Sequence, residues 1–140
     1  MRYFFYGTLM DTEIRRCVLG LPLAATAEEA WLSGYRRVRV RGKSYPMLIA
    51  DADTVDGLLI ADITPQQRAR LTVFEGSEYR EALLPVRGTR SGLVEARVFL
   101  PRRPARGALP WSFDQWVRVD KQRFLQGLLA SDRMRPARSL

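Results

Sequence analysis

Four consecutive aromatic residues near the N-terminus, residues 3–6, constrain the fold of this chain more than any other stretch. A run of large apolar side chains at this length is typical of a short buried strand. Gly7 then ends the strand, and Thr8 and Leu9 follow in a loop. A strand that stops in this way can present backbone N–H groups to a bound ligand. A first strand that ends in an ordinary glycine turn fits the same residues, and this stretch alone leaves both interpretations open.

The length and hydropathy of the chain exclude several classes of protein. A chain of 140 residues is long enough for one domain with a single hydrophobic core. No apolar run approaches the ~20 residues that a membrane-spanning helix needs. The N-terminus also lacks the long apolar region and cleavage site of a signal peptide. We therefore expect a soluble cytoplasmic protein with no membrane partner.

The chain contains no histidine and a single cysteine, Cys17. Without histidine, the chain can form neither a Ser-His-Asp triad nor a Cys-His pair nor a His-ligated metal site. One cysteine forms no internal disulfide, and we expect Cys17 to pack as a small apolar residue. Acid-base chemistry must therefore come from Asp, Glu, Tyr, Lys or the substrate. We expect neither a metal nor a cofactor.

Arginine supplies nearly all of the positive charge in a chain whose formal net charge is +8. Arg37, Arg39 and Arg41 alternate with Val38 and Val40, and this period of two predicts a strand with one wet face. Such a row of arginines is able to bind nucleic acid or another polyanion, with a steep dependence on salt. A solvated arginine-rich surface explains the pattern equally directly, and we favour it because aromatic residues are not interleaved with the row.

Capping residues and apolar spacing predict two substantial helices and one shorter helix. The Thr-Pro pair at the start of residues 64–74 is a strong helix beginning, because threonine caps and proline suits the first turn. A final helix is predicted over about residues 112–130, where apolar residues recur at helical spacing. The shorter helix begins at Asp11 or Thr12 and extends to about residue 19.

Short apolar or alternating segments predict six strands, and the last two, residues 79–86 and 93–100, form a hairpin. Residues 24–34 are predicted to form an irregular strand. Six strands and two substantial helices in irregular order indicate an α+β protein, built as a small mixed β-barrel or a strongly bent sheet with flanking helices. We assign residues 1–132 to one domain that includes the final helix, and residues 133–140 to a basic flexible tail.

Glu75 is the candidate acid or base that the sequence singles out. It lies at the C-terminal end of a predicted helix, where the helix dipole disfavours a negative charge. Phe74 precedes it, and an apolar neighbour also raises the pKa of a carboxyl group. A solvated acid at a helix end fits these residues equally well. Glu78 is a rival acid, although we expect it on the exposed side of a turn.

The segment Tyr6-Gly7-Thr8-Leu9, placed directly after an N-terminal strand, resembles the signature of the gamma-glutamylcyclotransferase-like family, and of its gamma-glutamylamine cyclotransferases in particular. Each motif of this family is short, but their order and spacing together are specific. No family motif covers the chain after residue 101. The further segments that match the family's motifs, in the same order, are Tyr45-Pro46, Val55-Asp56-Gly57-Leu58-Leu59, Phe74-Glu75-Gly76 with Tyr79-Arg80, and Ala96-Arg97-Val98-Phe99.

The resemblance implies a small mixed barrel and an enzyme that releases 5-oxoproline from gamma-glutamyl compounds. In that reaction the α-amino group of the substrate attacks its own γ-carbonyl carbon and expels an amine. Glu75 matches the catalytic acid of the family, and residues 6–9 match the loop that lines the glutamyl pocket. Tyr79 is expected either to pack in the core or to offer its hydroxyl group to the substrate.

Two positions depart from the family's pattern. Thr72 stands where an aspartate is frequent, and Phe99 stands where a tyrosine is usual. Both departures leave Glu75 in place, so they bear on the substrate class rather than on the reaction. We expect a small gamma-glutamyl substrate as the partner, with the protein acting as a monomer or homodimer. The alternative is a non-catalytic module of the same fold that binds a small carboxylate.

Overall fold

Strands and helices follow one another in an irregular order along the chain. The structure, a computed structural model, describes residues 1–20, 27–104 and 109–130. The predicted tail, residues 133–140, and the beginning of the strand predicted over residues 24–34 lie outside this part. The described elements are β1 (Tyr3–Phe5), a 3-10 turn (Thr8–Met10), α1 (Thr12–Leu19), β2 (Ala27–Arg39), β3 (Pro46–Ile60), α2 (Pro65–Glu75), β4 (Tyr79–Gly88), β5 (Gly92–Pro101), α3 (Phe113–Val119) and α4 (Lys121–Ala130).

In the described part of the chain, five strands close into a barrel in the order β1-β3-β2-β4-β5. β1 runs antiparallel to β3 and parallel to β5, so the barrel is mixed. β4 and β5 form the predicted hairpin. Closure pairs the strand edges that an open sheet would leave free. The prediction of an α+β protein with a small mixed barrel and flanking helices is confirmed.

The barrel has five described strands instead of the predicted six, because two predicted strands form one and a short apolar segment extends another. Residues 24–34 and 35–41 contribute to β2, whose register with β3 shifts at Gly34. Gly34 adopts a φ of +91°, which suits an irregularity of this kind. Residues 45–49 and 55–62 likewise contribute to β3, because pairing with β2 resumes on both sides of the predicted turn between them.

Helices α1 and α2 begin as predicted. Asp11 caps α1, and its carboxylate accepts a hydrogen bond of 3.1 Å from the N–H of Ile14. Thr64 and Gln67 form a reciprocal capping box at the start of α2, with bonds of 3.1 and 3.0 Å. α2 ends at Glu75, one residue beyond the predicted end. Among the described residues, no helix has the length and apolar character to cross a bilayer.

The final helix, predicted as continuous over residues 112–130, is divided into α3 and α4 at Asp120. Long-range contacts accompany the division. Trp116 is 1% exposed, and Lys121 Nζ lies 2.9 Å from the carboxylate of Asp11. No glycine or proline marks this position in the sequence, so the local pattern could not predict the break.

The core consists of two clusters that share β1. Phe4 packs among strand side chains inside the barrel, with Leu32 as one neighbour in the cluster. Tyr3 and Phe5 point to the opposite face and join a second cluster, which includes Trp116 and other helix residues. A strand buried on both faces carries consecutive apolar residues rather than alternating ones. This position explains the aromatic run at the N-terminus.

Glu81 on β4 links α2 to the barrel through hydrogen bonds. Its carboxylate accepts hydrogen bonds from Arg68 Nη2 at 2.8 Å, from Arg97 Nη1 at 3.2 Å and from the hydroxyl of Tyr3. Partial burial opposes ionisation, but the hydrogen bonds from Tyr3 and Arg68 hold the pKa of Glu81 below its usual range. Because Arg68 belongs to α2, this cluster fixes the helix that carries Glu75 at its end.

We expect Gly57→Ala to lower the free energy of unfolding by about 1–3 kcal/mol. An added Cβ would lie 2.4 Å from the carbonyl oxygen of Phe5 and 2.8 Å from the ring of Phe4, so β1 must shift. The matched control is Gly127→Ala in α4, where an added Cβ meets no atom within 4 Å. The free energy of unfolding of the control should rise by about 0.5–1 kcal/mol, because alanine has a higher helix propensity than glycine. Equal urea midpoints for the two variants would contradict this account.

Candidate active site

A cavity of about 630 Å³ lies where the end of β1, the end of α2 and helix α4 meet. Residues from five separate parts of the chain form its wall, including the Tyr-Pro segment at the start of β3 and Phe99 on β5. The fold therefore brings together positions that are far apart in sequence. All of the residues singled out from the sequence line this one cavity: Tyr6, Gly7, Thr8, Leu9, Glu75 and Tyr79.

The loop after β1 is a tight 3-10 turn whose two buried residues are Thr8 and Leu9. The N–H of Met10 donates to the carbonyl oxygen of Gly7 at 3.0 Å. The first N–H groups of such a turn have no carbonyl partner within it, so they can serve a ligand. Arg15 Nη1 donates to the carbonyl oxygen of Leu9 at 3.0 Å and holds the far side of the turn.

Gly7 is required by close packing rather than by its backbone angles. A Cβ at this position would lie 2.9 Å from the ring of Pro46, which also lines the cavity. The glycine therefore lets the loop after β1 lie directly against the Tyr-Pro segment. This contact ties two of the recognised sequence motifs together in space.

Arg37 supports the loop from behind, so one member of the predicted wet arginine row is turned inward, whereas Arg39 and Arg41 are exposed as predicted. Its Nη1 donates to the carbonyl oxygens of Tyr6 at 3.0 Å and of Asp56 at 2.9 Å, and its guanidinium lies 5.5 Å from the centre of the Trp111 ring. The side chain is only 15% exposed. Arg39 Nε donates to a backbone carbonyl as well. Long-range packing, which the period-two pattern does not report, turns Arg37 inward.

Tyr6 and Tyr79 are buried, and each hydroxyl donates to a backbone carbonyl. Tyr6 donates to Phe99 at 2.5 Å, and Tyr79 donates to Pro46 at 2.9 Å. Burial raises the pKa of both phenols, and the nearby charge of Glu75 raises it further. Both groups stay neutral near pH 7, and each hydroxyl oxygen retains lone pairs that can accept from a substrate.

Glu75 is the last residue of α2, and Gly76 follows it with a φ of +76°. The side chain is half-buried and lines the cavity. Removal of the carboxyl group from water raises the pKa of Glu75 to about 8. Among the described residues no cation forms an ion pair with it. Glu78 is exposed, as expected, although it also lies on the cavity wall.

Sequence reasoning missed the wall that α4 contributes. The apolar spacing of this helix predicted core packing, and Phe124 does pack against Trp116 at 5.5 Å between ring centroids. The available signal was the four-residue spacing of Arg123 and Gly127, which places them on one helix face. Glycine inside a helix lowers stability, so its presence there indicates a face that needs room for something other than a side chain. The cavity residues from α4 are Arg123, Phe124, Gly127 and Leu128.

A metal site is not formed by the part of the chain that the structure describes. Within residues 1–20, 27–104 and 109–130, no group of three or more acidic or cysteine side chains is placed to hold a metal ion. The described cavity lining offers two carboxyl groups, three phenols of which two are buried, the hydroxyl groups of Thr8 and Ser77, loop N–H groups and one guanidinium group.

We expect Glu75→Gln to raise the melting temperature relative to the wild type at pH 8 by several degrees more than at pH 5. The folded-state pKa lies above that of an unfolded glutamate, so the native protein binds the proton more tightly between about pH 4.5 and 8. Ionisation of Glu75 therefore costs stability as pH rises through this window, on the order of a few kcal/mol by pH 8. Glutamine does not ionise and escapes this cost.

Exposed Glu78 provides the matched control for this measurement. Glu78→Gln should change the melting temperature by a similar amount at both pH values, because its carboxyl group is exposed to solvent. If the difference between Glu75→Gln and the wild type is the same at pH 5 and pH 8, the carboxyl group of Glu75 is not buried in the folded protein.

Comparison with known proteins identifies the family. Residues 3–118 match the family model described as gamma-glutamyl cyclotransferase, AIG2-like. AIG2-like protein A of Arabidopsis thaliana is 26% identical over 129 residues, which cover 88% of this chain and 76% of that protein. AIG2-like protein C of the same plant is 29% identical over 126 residues, which cover 87% of this chain and 72% of that protein.

Solved structures share the fold. An AIG2-like protein from Mus musculus superposes with a TM-score of 0.60 at 19% identity, covering 79% of this chain and 84% of that one. A gamma-glutamyl cyclotransferase superposes with a TM-score of 0.55 at 15% identity, covering 74% of this chain and 67% of that one. The matched sequence contains the whole barrel and every predicted site residue, so the chain belongs to the gamma-glutamyl cyclotransferase, AIG2-like family.

Proposed function

We propose that this protein is a gamma-glutamyl cyclotransferase that releases 5-oxoproline and a free amine from a gamma-glutamyl substrate. The observation that carries the proposal is the carboxyl group of Glu75, whose pKa is raised to about 8 in a cavity bordered by the loop after β1. The names of the plant relatives state no reaction, so the proposal rests on the family description and on the chemistry of the cavity.

The raised pKa of Glu75 suits proton exchange with the substrate's ammonium group. The α-amino group of a gamma-glutamyl substrate lies beside a free α-carboxylate, so its pKa is higher than that of a peptide N-terminus, about 8. Transfer of its proton to an ordinary glutamate is therefore uphill by more than about 3.5 pKa units, or roughly 5 kcal/mol. Transfer to Glu75, whose pKa is about 8, removes about 3.5 pKa units of that difference. A pKa closer to that of the ammonium group lets one carboxyl group accept a proton and then return it.

Ring closure needs only positioning and proton transfer. The substrate nitrogen attacks the γ-carbonyl carbon, so one C–N bond forms and the bond to the leaving nitrogen breaks, with no water consumed. Two protons leave the ammonium nitrogen and two are gained by the departing amine. Glu75 can carry both in turn and ends in its starting state. Folding of the substrate inside a cavity supplies the proximity that such a closure requires.

The loop after β1 supplies groups for the substrate's negative charge. The N–H groups of Gly7, Thr8 and Leu9 can bind the glutamyl α-carboxylate or the oxyanion that develops on the γ-carbonyl oxygen. Arg37 and Arg15 hold this loop from outside the cavity through its carbonyl oxygens. The donors are therefore oriented before a substrate arrives, which is the condition for electrostatic stabilisation of a transition state.

Glu75→Gln should lower kcat for 5-oxoproline release about 10²- to 10⁴-fold, because glutamine cannot transfer the proton. Substrate binding should survive, since the amide occupies the same space. The substrates are a gamma-glutamyl amino acid, a gamma-glutamylamine, isopeptide-linked gamma-glutamyl-lysine and glutathione. Glu78→Gln is the matched control and should retain activity. Unchanged turnover in Glu75→Gln would exclude Glu75 as the base.

The value of kcat/KM should fall about tenfold for each pH unit below pH 8, because the free enzyme must have an ionised Glu75 and the substrate ammonium stays protonated in that range. The rate is measured from pH 5.5 to 9 with the best substrate of the panel. A profile that is flat between pH 5.5 and 7.5 would show that the essential carboxyl group titrates at an ordinary pKa.

The non-catalytic alternative has a distinct outcome in the same experiments. A module that only binds a small carboxylate would release no 5-oxoproline from any of the four substrates, yet wild type would still bind them. Binding of a polyanion is the weaker alternative, because Arg37 is only 15% exposed and donates to carbonyl groups within the protein, which leaves Arg39 and Arg41 as the exposed members of the row.

A further inference from the structure

Trp111 lies outside the cavity, yet it contacts the side chain that holds the loop after β1. The guanidinium carbon of Arg37 is 5.5 Å from the centre of its ring, and Trp111 is only 7% exposed. Arg37 in turn donates to the carbonyl oxygen of Tyr6 at 3.0 Å. In the part of the chain that the structure describes, neither Trp111 nor Arg37 lines the cavity. Two consecutive contacts therefore connect Trp111 to the start of the loop.

Hydrogen bonds attach the segment that carries Trp111 to strand β2 and to the turn after it. The N–H of Arg39 donates to the carbonyl oxygen of Leu109 at 2.7 Å. The indole Nε1 of Trp111 donates to the carbonyl oxygen of Ser44 at 2.7 Å. Because β2 also carries Arg37, the ring of Trp111 has a fixed place beside the guanidinium group.

The surroundings of the guanidinium group strengthen its bond to Tyr6. Nη1 of Arg37 also donates to the carbonyl oxygen of Asp56 at 2.9 Å, and Nη2 lies 2.7 Å from the carboxylate of the same residue. The ring of Trp111 adds a cation–π attraction and covers the group from solvent. A hydrogen bond in such surroundings is stronger than one exposed to water. Loss of the ring would therefore weaken the bond between Arg37 and Tyr6.

The bond to Tyr6 sets the direction of one donor in the loop. The carbonyl group of Tyr6 and the N–H of Gly7 belong to one planar trans peptide unit, so the two groups point in opposite directions. Arg37 binds the carbonyl oxygen from outside the cavity, which leaves the N–H of Gly7 directed toward the cavity that Gly7 lines. Glycine tolerates either orientation of such a peptide unit. The orientation therefore depends on the bond from Arg37 rather than on the loop sequence.

We infer that Trp111 is a positioning residue for 5-oxoproline release, which acts through Arg37 to direct the N–H of Gly7 into the cavity. The inference rests on the proposed function, because the donor that it assigns serves the negative charge of the substrate in the proposed reaction. Trp111 itself contacts neither the substrate nor Glu75.

Trp111→Leu should lower kcat/KM for 5-oxoproline release about tenfold, because a buried cation–π contact is lost and the bond to Tyr6 is weakened. Arg37→Gln removes the guanidinium group and should lower kcat/KM about 10²-fold, as for the loss of one preorganised donor. The double variant should be no slower than Arg37→Gln alone, because Trp111 acts through Arg37. Trp111→Phe should retain most of the activity, since it keeps an aromatic ring.

Two matched controls separate this role from a general loss of packing or of charge. Phe113→Leu removes a ring that packs against Trp111, at 6.3 Å between ring centroids. Arg39→Gln removes an exposed arginine two residues from Arg37. Both should retain the wild-type kcat/KM, and melting curves verify that the variants are folded. Where Trp111→Leu does not fold, a fluorinated tryptophan at position 111 keeps the size of the ring, weakens its attraction for a cation and should lower kcat/KM severalfold.

The amide resonance of Gly7 gives a measurement that needs no turnover. Its nitrogen chemical shift depends on the hydrogen bond to the carbonyl oxygen of Tyr6, so it should move in the same direction in Trp111→Leu, or the fluorinated variant, and in Arg37→Gln. A shift that moves in Arg37→Gln alone would overturn the inference.

Two kinetic results would also overturn the inference. One is a wild-type kcat/KM in Trp111→Leu or in the fluorinated variant. The other is a pair of losses that multiply in the double variant, because Trp111 would then act independently of Arg37. Absence of 5-oxoproline release by the wild type from all four substrates would instead overturn the proposed function, and the Gly7 resonance would still test whether Trp111 acts on the loop.

Discussion

Burial of β1 on both of its faces is the constraint on which the rest of the structure depends. The strand has only three residues, yet it pairs with β3 on one side and with β5 on the other, and so closes the barrel. Phe4 faces the barrel interior, whereas Tyr3 and Phe5 face the helices. Because both core clusters include this strand, the loop that follows it has a fixed starting point, and that loop forms one side of the cavity.

The structure must also accommodate a carboxyl group in a position that disfavours its ionisation. Glu75 loses hydration at the end of α2 and gains no cation from residues 1–20, 27–104 or 109–130, so the rest of the protein must supply the stability that its ionisation removes. The capping box at Thr64 fixes the beginning of α2, and the Glu81 cluster fixes its middle through Arg68. The helix is thus anchored at positions away from the cavity, and none of its described anchoring contacts uses the carboxyl group of its last residue.

Signals that lie within a few residues predicted much of this structure. The aromatic run of β1, the caps of α1 and α2, the last hairpin and the glycine-bounded position of Glu75 all have local patterns, and the structure places them as expected. Features set by distant partners were not predictable. Arg37 turns inward, where it contacts Tyr6 and Trp111. The break between α3 and α4 lies next to Lys121, which forms an ion pair with Asp11. These partners lie far from Arg37 and Lys121 in the sequence.

The attachment of α4 separates the chain into regions under different constraints. A hydrogen bond from Arg37 holds the loop after β1, and Arg68 links α2 to the barrel, whereas Arg123 on α4 is exposed and forms no ion pair with a described residue. A substitution at exposed Arg123 therefore disturbs few other residues, whereas Phe124 and Leu128 of the same helix pack into the core. Two chains with the same barrel can diverge in this helix, so variation among relatives should be read separately for the barrel and for the helix that follows it.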